Sequence, residues 1–289
     1  MDAAIEYYKK IDKGSEYWFV AQEEMAWAYM RKGQPQDTLA IAKTQVVDEF
    51  APHTGPEMLF LKALAHLKLC DYKDAAETLF LFKKRFYSRT KVLLKVQEQG
   101  LTPATEKLVS ELKKGRVKLL TLGPAAYQVP RYLTRDEYLM DLVRGYASLE
   151  KEANTAGDLY SRSLSGGTAQ VGFQAFLENF KHYVEVRLQA AKSATYNLIQ
   201  LRAKDELAEI HQILQKMHIV EAELLQQSAM SEQVANASQG KASSAKIGTI
   251  KSAKKDDLVF PYEGEKWFDE LSNYRIDVNK ACQVSRKAE

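Results

Sequence analysis

Residues 17–86 read YWFVAQEEMAWAYMRKGQPQDTLAIAKTQVVDEFAPHTGPEMLFLKALAHLKLCDYKDAAETLFLFKKRF, and this stretch decides the fold. Met25, Tyr29 and Met30 early in it, and Leu59, Ala63 and Leu67 later, recur at helical spacing, so each segment carries an apolar stripe. Gly33-Gln34-Pro35 and Cys70-Asp71-Tyr72 punctuate the stretch as turns, which makes two helix pairs. No stripe can be buried by its own helix. Self-comparison supplies the arrangement: Ala4-Ile5 with Tyr8, Thr38-Leu39 with Ala42, and Ala75-Ala76 with Leu79 share one pattern at offsets of 34 and then 37 residues. A period in that range marks a helical solenoid, in which each pair buries its stripe against the next.

At these residues the sequence resembles the tetratricopeptide repeat family. Ala26 and Ala63 supply small residues on first helices; Ala4, Thr38 and Ala75 do so on second helices. Tyr29 matches the family's first-helix aromatic, Gly33 its turn glycine, and DYKDAAETL its turn-and-second-helix wording. Gln22 and Leu59 replace the early tryptophan, Cys70 replaces the second turn glycine and His66 the second tyrosine, and no proline closes the first repeat. The resemblance covers residues 1–86. It implies a right-handed α-solenoid whose first helices line a groove for an extended or helical peptide. Carried over through this register, the groove positions are Glu23, Trp27, Met30 and Arg31, then Phe60, Leu64, Leu67 and Lys68. Trp27 would anchor a ligand whose carboxylates pair with Arg31 and Lys68. In the same register DAAIEYYKKI is a second helix lacking its first, so the natural chain is expected to extend before Met1. The chain is also similar to repeat-containing adaptors of bacterial envelopes, which implies a periplasmic or cell-envelope setting ahead of a cytoplasmic one.

Composition agrees with a helical protein. The 289 residues are 45% hydrophobic and 27% charged, and only 14 Gly and 7 Pro are present to make the turns that many-stranded folds need. Forty-one basic against 38 acidic residues leave +3, too little to make nucleic acid or anionic lipid the expected partner. No apolar run reaches membrane-spanning length, and MDAAIEYYKK lacks the apolar core of a signal peptide. Cys70 and Cys282 have no zinc-type spacing and leave a disulfide open.

Past Thr90 the repeat register fades. Thr102-Pro103 caps a helix that Gly115 stops, and Thr134-Arg-Asp-Glu137 reads as a capping box opening another. Ala156 and Tyr160 repeat the spacing of Ala4 and Tyr8, so residues 135–165 read as a degenerate third repeat. Residues 168–234 hold no Pro and only Gly172, which predicts one or two very long helices. Leu207, Ile210, Leu214, Met217 and Leu224 give that region a stripe for an antiparallel hairpin, for packing on the repeats, or for self-association. Residues 235–257 are rich in Ala, Ser, Gly and Lys without an aromatic, the composition of a flexible tether. Residues 258–289 regain hydrophobicity, and Phe260, Tyr262, Trp267, Leu271 and Tyr274 are its candidate anchors. Docking onto the chain's own helices is favoured over docking onto a partner. The expected units are therefore 1–88, 89–234, 235–257 and 258–289.

No catalytic pattern emerges. His53, His66, His182, His211 and His218 form no HExxH, and Glu178 with His182 is a lone one-turn pair. Phosphate loops, dinucleotide glycines and nucleophile elbows are absent from the sequence. The expectation is a non-enzyme without metal or cofactor: an adaptor holding a protein or peptide partner. Its rival is an oligomeric scaffold assembled through residues 168–234.

Overall fold

A computed structural model describes residues 1–165, 171–237, Tyr274 and Ile276. Gly33, at φ 73°, ends α2 (Trp18–Arg31), and Pro35 opens α3 (Pro35–Gln45) at the position where a missing N–H costs nothing. α4 (Pro56–Lys68) begins the same way and closes at Cys70, which takes the left-handed conformation at φ 56° in place of a glycine. α5 (Tyr72–Gln99) then runs on well past the point where the repeat register fades, because nothing between Asp71 and Gly100 breaks it. Together with α1 (Asp2–Lys9), which buries Ile5 against α2, these helices stack in chain order. The stacked helix pairs are the arrangement expected from the repeat pattern. Among the described residues there is no strand.

α6 (Pro103–Lys114) starts where Thr102 and Thr105 cap each other reciprocally and stops at Gly115. A 3-10 stretch over Leu119–Gln128 follows, bent at Gly123. The next helix, α7 (Glu137–Ser165), is capped by Asp136, whose carboxylate accepts from the Leu139 amide 3.1 Å away. The capping box read at Thr134 lies in a preceding 3-10 turn instead; its hydroxyl donates to Glu16, 2.5 Å away. Residues 137–165 are one continuous helix without an internal turn. α8 (Val171–Ala237) spans 67 residues, about 100 Å at 1.5 Å per residue, and pairs with α7 at one end and with α4 and α5 at the other.

Two apolar clusters hold the body. One, with Met25, Met30, Leu39, Ile41 and Leu61, lies among α1 to α4. The larger joins Leu59, Phe82, Phe86 and Leu93 to Leu198, Ile210, Ile213 and Met217 of α8.

Candidate protein-interaction surfaces

The stripe at Leu207, Ile210, Leu214, Met217 and Leu224 packs on the repeats. Ile210 and Met217 are buried in the larger cluster, and the three leucines lie against it. This determines the setting of the residues read as a groove. Phe60 and Leu67 are buried in the same cluster, with Trp27 and Leu64 packed beside them. The Trp27 and Phe60 rings are 6.0 Å apart, and the Lys216 ammonium of α8 lies over Phe60. Met30 is buried in the smaller cluster. Arg31 stays exposed with its guanidinium 5.7 Å from the Trp27 ring, and Lys68 is exposed at the end of α4. Trp27, Phe60, Leu64 and Leu67 are thus brought together with α8 lying on them, whereas Met30 is buried apart from them among α1 to α4.

Glu23 points into a charged network under the same helix. Arg131, fully buried, donates its backbone N–H to Glu206 (2.9 Å) and Nη2 to Glu209 (2.5 Å). Glu206 also receives both a 2.8 Å and a 3.0 Å hydrogen bond from Arg89. Burial pushes the Glu206 carboxyl up, and the two guanidiniums more than reverse this, holding it below the usual range. Glu23 has the opposite balance. Burial, opposed by Arg131 and reinforced by Glu57 and Glu209, pushes it up to about 8, so near neutral pH it is mostly a protonated acid. The carboxyls of Glu23, Glu57, Glu206 and Glu209 outnumber the guanidiniums of Arg89 and Arg131 in this network, and keeping one acid neutral relieves the excess negative charge.

Gly55 makes room for the arginine: a Cβ there would sit 2.4 Å from Arg131 Nη1 and 3.0 Å from Glu23 Oε2. Arg131 cannot swing away without losing its carboxylates. Gly55→Ala is therefore expected to cost about 1–3 kcal/mol, the range for overpacking a closed site, measurable by denaturant unfolding. Beside the network opens a cleft of about 510 Å³, where Arg135 lies against the rings of Tyr132 and Tyr17.

A second surface lies over α3. Lys43 sits 4.3 Å from the ring centroid of Tyr274, and Ile276 packs against the smaller cluster. These two residues of the C-terminal segment thus lie on the repeats of their own chain. Phe260, Tyr262, Trp267 and Leu271 lie outside the described residues, as do residues 238–257 of the tether. Cys70 is disulfide-bonded.

The third surface was not singled out by the sequence reading. Along the first turns of α8, Leu177 and Val184 are buried, Gln174 donates to the Ser163 carbonyl, and Lys181 lies over Tyr160, so this part of α8 is joined to α7 as a two-helix arm. On its flank Phe173, Phe176, Phe180 and Tyr183 are 55%, 60%, 40% and 57% exposed. The three phenylalanines stack along the helix with centroids 6.5 and 6.3 Å apart. Steps of three, four and three residues are the signal that would have found them. Such a run exceeds the scattered exposed apolars of an ordinary surface.

Chemistry-bearing groups are sparse among the described residues. His66, Asp71 and Asp74 bring one ligand atom each within 4.8 Å of one another, but Lys62 lies close enough to Asp74 to compete for it as a cation, and His66 with Asp71 joins the two ends of the α4–α5 turn at 3.3 Å. His53, half-buried, stacks on Phe19 at 4.3 Å, and burial depresses it to about 4. No described helix is long and apolar enough to cross a membrane. Comparison of the chain with protein-family models, with curated proteins and with solved structures finds no match.

Proposed function

We propose that the protein is a non-enzymatic protein-interaction adaptor: a tetratricopeptide-like helical body carrying a two-helix arm that docks an amphipathic helix of a protein partner. The observation that carries this reading is the exposed aromatic stripe of Phe173, Phe176, Phe180 and Tyr183. Its heptad-like steps suit a helix laid alongside, and rings of this size bury enough area to anchor one. The filling of the repeat groove by α8 supports moving the binding surface from Trp27 and Phe60 to the arm. The disulfide at Cys70 favours an oxidising compartment, in keeping with the bacterial-envelope setting that the resemblance implies.

A second reading, an oligomeric scaffold, gains from one feature. Glu178 and Glu185 are offset by Lys181 and Arg187 along the stripe, so two copies would meet without net repulsion.

The double substitution Phe176→Glu with Phe180→Glu separates binding from folding. These side chains already face water, so thermal unfolding should stay within about 0.5 kcal/mol of the parent. Complexes recovered from the native source with the tagged chain should be lost, whereas Trp27→Ala should lower stability first. Complexes that survive the double substitution and disappear with Arg31→Glu would return the binding site to the repeats.

A further inference from the structure

We propose that the cavity at the start of α2 is a ligand site separate from the arm, and that it takes a carboxylate carried on an aromatic group. It opens between the first turn of α2, the 3-10 turn Asp48–Phe50 and the 3-10 stretch Leu119–Gln128. Its volume is about 360 Å³, within the roughly 300–1,000 Å³ of small-ligand sites. The walls are rings. Phe19 meets Trp18 and Phe50 edge-on, with centroids 5.1 and 5.2 Å apart, and stacks on His53 with the two planes 8° from parallel. Trp18 and Phe19 are buried, Phe50 and His53 half-buried, and Leu120 at the rim is 40% exposed. An aromatic group entering there meets edges and faces already held by one another, so little further side-chain ordering opposes binding.

Polar groups fix the other end of the ligand. Glu16, Lys13 and Lys118 line the same cavity. Both Glu16 oxygens are engaged by neutral donors, the Leu119 amide and the Thr134 hydroxyl, each at 2.5 Å. The Lys118 ammonium donates to the Gly14 carbonyl at 2.9 Å and makes no ion pair among the described residues, so a ligand carboxylate can pair with it. His53 makes no side-chain hydrogen bond among the described residues, and burial keeps it neutral near pH 7, so its ring adds one donor and one acceptor to the wall. A cationic ligand would be repelled by the two ammoniums, and a dianionic phosphate would be repelled by Glu16 more strongly than a carboxylate is. Two sources carry the favoured chemistry, an aromatic C-terminal residue of a polypeptide and a free aromatic acid, and the test distinguishes them.

Calorimetric titration of the full chain uses three probes: N-acetylphenylalanine, its amide, and acetyl-dialanyl-phenylalanine with a free C-terminus. N-acetylphenylalanine should bind with a dissociation constant of roughly 0.1–1 mM, as the efficiency of a ligand of its size allows. The amide, which lacks the charge, should bind about tenfold more weakly, and so should the acid to Lys118→Gln. Leu120→Glu places a like charge at the exposed rim and should abolish binding while leaving thermal unfolding unchanged. Tighter binding of the longer peptide assigns the site to polypeptide C-termini; affinity no greater than that of N-acetylphenylalanine assigns it to small acids. Phe176→Glu with Phe180→Glu should leave these affinities as they are, so the site is tested apart from the arm. Acid and amide bound alike, no heat from either acid at about 10 mM, or affinities untouched by Lys118→Gln and Leu120→Glu would overturn the proposal.

Discussion

Glu206→Gln should destabilise the folded protein by about 3–5 kcal/mol, the cost of stripping the carboxylate from a buried ion pair. Glu206 is only 4% exposed, and two guanidiniums converge on it: Arg89 from α5 and Arg131 from the segment before α7. A glutamine keeps the shape and one acceptor oxygen but leaves both cations undercompensated away from water. Arg131 retains Glu209, yet that carboxylate is a third exposed and cannot replace a buried one, so Glu209→Gln should cost less. Chemical denaturation of both variants checks the ranking, and equal losses would show that burial does not set the energy. The same logic fixes the acid limb. The folded pKa of Glu206 is depressed, so its contribution is complete above its unfolded pKa and disappears as pH falls through the folded value. The parent should lose stability below about pH 4 more steeply than Glu206→Gln does.

The second large effect has the opposite sign with pH. Glu23 is pushed up to about 8 in the fold, so its contribution is complete below its unfolded pKa near 4.5 and is lost as pH rises through 8. Ionising it places a further negative charge beside Glu57 and Glu209 in an enclosed space. Each pKa unit corresponds to about 1.4 kcal/mol, and with partial solvent access the loss between pH 5 and pH 9 is on the order of 3 kcal/mol. His53 runs the other way. Its depressed value near 4 means that stability rises with pH over the interval from 4 to 6.5, after which it is neutral in both states. The clean window is therefore pH 6.5 to 9. Across it the parent should weaken, while Glu23→Gln should stay level and be the more stable at pH 9. Parallel stability curves for the two would show that Glu23 ionises without penalty.

Local punctuation was readable wherever neighbouring residues determine the backbone. Gly33 with Pro35, Thr102 with Pro103, and Gly115 act on the residues beside them, and each stands where its chemistry placed it. Thr134 misled because Asp136, two positions on, is the better N-terminal acceptor and left the threonine hydroxyl to Glu16. The apolar stripe from Leu207 to Leu224 announced a buried helix face without saying what would cover it. Only the fold shows that it covers Phe60 and Leu67. The Arg131, Glu206 and Glu23 network had no sequence signal, since its members are scattered over three distant segments and no spacing rule joins them. Phe173, Phe176, Phe180 and Tyr183 carried their pattern openly, but spacing alone does not distinguish an exposed stripe from one that packs internally.

A photo-crosslinking amino acid at Phe176 of the full chain, expressed in its native source, reports whether a partner docks on the arm. Gln212, exposed on the body half of α8, is the control position. A specific adduct is expected from position 176 and none from 212: a different polypeptide for the adaptor, or a second copy for the scaffold. Equal, diffuse labelling from both positions would show that the aromatic stripe has no dedicated partner and would contradict it.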